Sequence, residues 1–256
     1  MLKVIKIGGN VVDNPDKLTE FLSAFAGLNG PKILVHGGGK IATAISKALG
    51  IETTMIKGRR VTDAETIKVV TMVYAGLINK DIVNKLNARR CNAIGLCGAD
   101  GKLIVSQRRS PIPVDYGFVG DPQDVNSQLL ASLIEQGFTP VIAPITTDGN
   151  GTLLNTNADT VAQTIATAMA KHMDTELVFC FEKKGVLSDV EDENSVISAI
   201  DKNDFERLKA DGTISDGMLP KIENAFNAIA GGVKKVVICS SDCVGEPGYG
   251  GTSITA

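Results

Sequence analysis

The chain has 256 residues, 43% of them apolar, enough to bury one large or two modest hydrophobic cores, so disorder is excluded as its main theme. Lys plus Arg number 26 against 29 Asp plus Glu, a net charge of −3 without basic runs, which gives no nucleic-acid surface. No apolar run approaches the roughly 20 residues of a membrane span, and MLKVIKIGGN lacks the pattern of a secretory signal, so a soluble cytoplasmic protein without a membrane partner is expected.

Short apolar runs bounded by glycine or proline mark buried strands, and periodic apolar positions mark the helices between them. The first run, residues 2 to 7, ends in Lys6-Ile7-Gly8-Gly9, and a helix follows on Leu18, Phe21, Leu22 and Phe25. The second, 32 to 36, ends in His36-Gly37-Gly38-Gly39 and leads into a helix carrying Ile41, Ala44, Ile45 and Leu49. KGRRVT, residues 57 to 62, comes next, with Thr62 as a possible cap for a long helical stretch over 63 to 90. That stretch bends at Gly76, and its apolar positions suit either a core or a dimer contact.

A strand at 92 to 96 precedes GADGKL and PVDYGFVGD, which frame a projecting hairpin over 98 to 120, a flap of the kind that covers a ligand. A helix on Val125, Leu129, Leu133 and Ile134 and a strand at 140 to 145 follow. NTNAD then opens a helix on Ala158, Val161, Ile165 and Ala168, and a soft boundary is placed near residue 173. Strands at 175 to 180 and 235 to 240 flank DGMLPK, residues 216 to 221, which starts an amphipathic helix with Pro220 in its first turn. The alternation predicts an α/β fold with a mostly parallel sheet covered on both faces.

The chemistry sits where strands give way to loops. Gly8 and Gly9, Gly37 to Gly39 and Gly217 leave backbone amides free to point at an oxyanion, since no side chain blocks the approach. Lys221 lies at the positive end of its helix, where a cation is unfavourable unless something anionic arrives; on this stretch alone a solvated lysine and an anion-binding one stay open. Asn157 suits an N-cap, which leaves Asn155 and Asp159 unexplained. Arg60 has a guanidinium fork suited to a carboxylate, whereas Arg59 is expected to be solvated. The five cysteines show no ligand spacing and are read as reduced core thiols; His36 and His172 supply neither a zinc site nor a Ser-His-Asp triad.

KIGG, HGGG, GRRVT, DYGFVGD, NTNAD and DGMLPK resemble, in order and spacing, the acetylglutamate kinases of the amino acid kinase family, from residue 3 to the end. The resemblance implies a three-layer αβα sandwich, with residues 1–173 as an N-acyl-glutamate-binding and dimerising lobe and 174–256 as an ATP-binding lobe. It implies ATP-dependent phosphorylation of the side-chain carboxylate of N-acetyl-L-glutamate in arginine biosynthesis. Lys6 and Lys221 would meet the transferring phosphoryl group and Asp159 would hold both lysines. Gly38, Gly39, Arg60 and Asn155 would bind the substrate, while Lys6, Gly8, Gly9, Lys184, Gly217 and Lys221 would face the nucleotide. Mg²⁺ is expected to arrive with ATP, without a dedicated protein metal site.

Two departures stand out. FCFEKKGV over residues 179 to 186 replaces an aspartate-containing turn of the family, which leaves the adenine and ribose contacts open, with a lysine there expected to meet a phosphate. The first strand starts almost at once, without the helix found in arginine-inhibited hexamers, so an arginine-insensitive homodimer is expected. The acyl group stays open between acetyl and another such as succinyl. Outside kinases, Gly37-x-Gly39-x-x-Ala42 fits the relaxed dinucleotide fingerprint of a nicotinamide-dependent oxidoreductase, but it follows the second strand and no acidic residue ends the next strand about 20 residues on; a non-catalytic amino-acid sensor is the third class. The oxidoreductase leaves NTNAD and Lys221 unexplained, and the sensor does not need the two lysines.

Overall fold

The computed structural model describes every residue except Lys57, Ser215, Asp216, Gly217 and Ala256. Gly217, expected to face the nucleotide, therefore lies outside the described residues. From the start the elements are β1 (Leu2–Ile7), α1 (Gly9–Val12), α2 (Pro15–Gly27), β2 (Lys32–His36), α3 (Gly39–Ala48), the small hairpin β3 (Met55–Ile56) and β4 (Arg59–Arg60), and α4 (Ala64–Thr71). A π-helical segment, Met72–Ile78, joins α4 to α5 (Asn79–Asn87). Then come β5 (Ala93–Leu96), β6 (Ile104–Arg108), β7 (Gly120–Val125), α6 (Ser127–Glu135), β8 (Thr139–Ile142), β9 (Ile145–Thr147), β10 (Leu153–Asn155) and α7 (Ala158–Ala170). The remainder is β11 (Thr175–Phe181), β12 (Ala199–Ile200), α8 (Lys202–Ala210), α9 (Leu219–Ala230), β13 (Lys235–Ser240) and β14 (Thr252–Ile254).

Eight strands form the main sheet in the order β12-β14-β13-β11-β1-β2-β8-β5, parallel throughout except where β14 runs against β13. Side chains of a strand alternate between faces, and this alternation builds the layers. Val4, Val35, Leu177, Phe179, Val236 and Ile238 pack on one face beneath α6, α7, α8 and α9. Ile5, Ile7, Leu34, Val178, Val237 and Cys239 pack on the other beneath α1 to α5. The result is the expected αβα sandwich. By the same alternation Lys6 shares the face of Val4, next to the starts of α7 and α9.

Several boundaries differ from the sequence reading for physical reasons. The run 140 to 145 splits at Ala143-Pro144, so β8 joins the main sheet and β9 turns into a four-stranded sheet of order β10-β9-β6-β7. The hairpin of 98 to 120 belongs to this second sheet and continues to Val125, which is strand; Asn126 caps α6 by accepting from the Leu129 amide. The cap of α4 is Asp63, whose carboxylate accepts from the Thr66 amide at 2.7 Å, and Thr62 instead donates its hydroxyl to the Arg60 carbonyl. Gly76 falls inside the π-helical segment, so the helical run of 63 to 90 is continuous but locally widened.

Candidate active site

In an open parallel sheet, ligands collect at the carboxyl ends of strands where the connections diverge to either side. Here that place is β1, flanked by β2 on one side and β11 on the other. Gly9 follows β1 and Gly37 to Gly39 follow β2, and the two turns face each other. A Cβ built at Gly9 would lie 3.9 Å from the Gly38 nitrogen and 3.8 Å from the Gly39 nitrogen, and one at Gly37 would lie 3.5 Å from the Gly9 nitrogen. Side chains would fill this cradle. Gly8 contributes differently from expectation, because its amide already donates to the Cys180 carbonyl at 3.0 Å.

Three adjoining cavities run along the strand ends. The first, about 370 Å³, is lined by Gly38, Gly39, Arg59, Arg60, Tyr74 and Asn155. The second, about 630 Å³, is lined by Lys6, Gly8, Asp13, Lys40, Glu182 and Lys221, and shares Gly9, Gly39 and Arg60 with the first. The third, about 310 Å³, holds Lys183, Val186, Leu187, Ile214 and Met218, and shares Phe181, Glu182 and Lys221 with the second. Lys184 is exposed and lines none of these cavities, whereas its neighbour Lys183 lines the third.

At the junction of the second and third cavities, Lys6 and Lys221 meet on Asp159. Lys6 Nζ lies 2.8 Å from Asp159 Oδ1 as an ion pair outside directed hydrogen-bond geometry, and Lys221 donates to Oδ2 at 3.0 Å. Both lysines are buried, at 7% and 8% exposure. Asp159 sits in the first turn of α7, where the helix dipole favours a carboxylate, and Asn157 caps that turn by accepting from the Asp159 and Thr160 amides. Burial alone would raise the Asp159 carboxyl, but the Lys6 and Lys221 ammonium groups outweigh it and hold it well below the usual carboxylate range. Burial lowers Lys221, opposed by Asp159. Its Nζ also lies 5.4 Å from the Phe179 ring centre and 5.8 Å from that of Phe181, which places the cation against two aromatic faces.

Arg60 is buried at the boundary of the first two cavities, donating to the Gly39 carbonyl at 2.9 Å and to the hydroxyls of Thr43 and Thr53 at 2.8 and 3.1 Å. Among the described residues no carboxylate lies within ion-pair distance of it, so its charge is left for an anion in the cavity. Asn155 donates to the Thr62 hydroxyl at 3.0 Å, leaving its carbonyl oxygen free of that contact. Arg59, expected in solvent, is half-buried in the first cavity wall; burial lowers its guanidinium, and Arg109 adds to this. Tyr74 and Asp13 also enter the site unforeseen, Tyr74 from the π-helical segment and Asp13 with its carboxyl raised by burial against the pull of Lys40. Nothing in the sequence pattern singled out Tyr74, which lies within a helical stretch whose spacing signals burial rather than a site.

The sequence pattern of the amino acid kinase family matches residues 1–240. The chain belongs to the amino acid kinase family. It is 58% identical to the acetylglutamate kinase of Cytophaga hutchinsonii over 96% of this chain and 93% of that protein. It is 55% identical to the acetylglutamate kinase of Parabacteroides distasonis over 93% of both. Among solved structures it is similar to smu.665 from Streptococcus mutans, with TM-score 0.80 and 27% identity, covering 100% of this chain and 98% of that one.

The Asp159 carboxylate is protonated in an unfolded chain below roughly pH 3.9, and in the fold only at lower pH. Its contribution to stability is therefore complete above that value and is lost as pH falls toward the folded-state value. Asp159→Asn is expected to lower the unfolding free energy at pH 7 by about 3 kcal/mol, with the gap to wild type narrowing below about pH 4. Urea unfolding across pH measures this, and a gap that does not change on acidification contradicts the ion-pair assignment.

Proposed function

We propose that the chain catalyses ATP-dependent phosphorylation of the side-chain carboxylate of N-acetyl-L-glutamate, giving N-acetylglutamyl 5-phosphate and ADP in arginine biosynthesis. The observation that carries this reading is the meeting of two buried ammonium groups on Asp159 where the second and third cavities adjoin. The names of the relatives at 58% and 55% identity support the same substrate.

A carboxylate is already a nucleophile, so the reaction needs no general base and the absence of a catalytic histidine costs nothing. Charge repulsion is the obstacle. Two unit charges 4 Å apart repel by roughly 4 kcal/mol at an effective dielectric of 20, and a carboxylate approaching a triphosphate meets several. Lys6 and Lys221 are placed to offset that charge as the phosphoryl group moves, with Asp159 aiming both. Arg60 and Asn155 suit the α-carboxylate and acylamino group in the first cavity, and Gly9, Gly38 and Gly39 suit the oxygens between. The third cavity, with its apolar wall of Val186, Leu187 and Met218 and its Lys183, suits an adenosine and a phosphate. Mg²⁺ bound with the nucleotide would supply further screening of phosphate charge. In this scheme residues 1–173 form the amino-acid lobe and 174–256 the nucleotide lobe.

The proposed setting is the cytoplasm, with no nucleic-acid or membrane partner; among the described residues no helix is long and apolar enough to cross a membrane. A homodimer is proposed through the π-helical segment, where Met72 and Leu77 are each 57% exposed and, five residues apart, lie close together around a π-helix. Sedimentation at micromolar concentration is expected to show a dimer that Leu77→Glu dissociates; a monomeric wild type refutes it.

An ATP-dependent hydroxamate assay traps acyl phosphates and tests the reaction with N-acetylglutamate, N-succinylglutamate, glutamate and aspartate. Turnover on N-acetylglutamate is expected, and activity on free aspartate alone sinks the substrate class. In the same assay Lys221→Ala is expected to lower kcat by about 10²-fold or more with little change in KM for the amino acid, because its charge acts as the phosphoryl group moves. A selective rise in that KM would assign the residue to the other cavity.

A further inference from the structure

His36 ends β2 and is fully buried, yet the chemistry above does not use it. Its Nδ1 lies 2.9 Å from the Gly37 carbonyl oxygen, and its Nε2 lies 3.2 Å from Nδ2 of Asn79. The orientation of the Asn79 amide is fixed by other partners. Its Nδ2 donates to the Val141 carbonyl at 2.9 Å, and its Oδ1 accepts from Lys80 Nζ at 3.1 Å. An amide NH₂ group only donates, so His36 Nε2 accepts; a carbonyl oxygen only accepts, so Nδ1 carries the proton. Burial draws the imidazole down to about 4, so the neutral ring persists at ordinary pH.

This fixed tautomer has a consequence at the cradle. In a planar trans peptide the carbonyl and the following N–H point in opposite directions. With the Gly37 carbonyl tied to His36, the Gly38 N–H is turned away from that bond, and the Gly38 nitrogen lies 3.9 Å from where a Cβ on Gly9 would stand. Gly38 itself has φ 145° and ψ 27°, a conformation that side-chain-bearing residues rarely adopt, and a Cβ there would come within 2.2 Å of Ile78 Cδ1. Such a backbone persists only when its surroundings over-determine it. Gly95 serves the same arrangement from β5, since a Cβ there would lie 2.0 Å from Asn79 Oδ1.

We propose that His36, held by Asn79 as the Nδ1–H tautomer, is a positioning residue that sets the Gly37–Gly38 peptide so that the Gly38 amide faces the reacting oxygens. The proposal rests on the reading of the glycine turns as an anion cradle. His36 touches no reactant in this scheme and acts only through the peptide.

The test has a spectroscopic and a kinetic arm. ¹⁵N-histidine NMR of the unliganded wild type, with H172Q to assign the only other histidine, is expected to show Nδ1 protonated and Nε2 bare from about pH 5.5 to 8. Replacement of His36 by Leu removes the donor, and H36L is expected to lose about 30-fold or more in kcat with each KM within about threefold. Asn places a donor near the Nδ1 position, so H36N is expected to stay within about threefold of wild-type kcat. A proton on Nε2 in the wild type, wild-type kcat in H36L, or equal impairment of H36N and H36L per folded molecule overturns the proposal. Should H36L fail to fold, the tautomer and H36N decide. A wild type inactive on every acyl-glutamate would count against the proposed function, while the tautomer would still be read on the unliganded protein.

Discussion

One carboxylate holding two ammonium groups is the constraint around which the site is organised. Like charges repel, so Lys6 and Lys221 can lie buried side by side only with Asp159 between them. Three distant stretches must therefore end at one point: β1 brings Lys6, the first turn of α7 brings Asp159, and the first turn of α9 brings Lys221. The period of two along β1 puts Lys6 on the face that α7 and α9 cover. Phe179 and Phe181 on the neighbouring strand then give the Lys221 cation an aromatic bed. An anion entering the junction replaces water at charges whose burial the fold has already tolerated, which is what preorganisation means here.

The glycine turns complete that design from the opposite side. Amides ahead of the first turn of a helix have no partner within it, so Gly38 and Gly39 at the start of α3 are donors awaiting an acceptor. Arg60 binds the Gly39 carbonyl and the Thr43 hydroxyl of the same helix, which ties the cradle to the first cavity. The π-helical segment reaches the cradle as well, through Ile78 against Gly38 and Tyr74 in the cavity wall. Packing at its exposed face and geometry at the cradle are thus properties of one short segment.

Much of this was legible in the sequence because the signals were local. Strand ends followed by glycine, an asparagine cap before Asp159, and a lysine just after Pro220 can each be read within a few residues, and family resemblance puts them in register. The unread parts depend on tertiary placement. Whether Lys183 or Lys184 faces the third cavity is set by the course of the turn after β11, and no periodicity reports it. Arg59 and Arg60 are adjacent, and the β3–β4 hairpin buries Arg60 while leaving Arg59 half-buried beside Arg109. Strands β12 and β14 have two and three residues, too few for alternation to show. The split at Pro144 needed knowledge that two sheets exist, since β8 and β9 are both buried along their whole length.

The most direct measurement is a crystal structure with ADP, N-acetylglutamate and aluminium fluoride in place of the transferring phosphoryl group. Both Lys6 and Lys221 are expected within hydrogen-bond distance of the fluorides while Asp159 still bridges them. An aluminium centre bound elsewhere, or reached by neither ammonium group, would contradict the assignment of the junction as the place where phosphoryl transfer occurs.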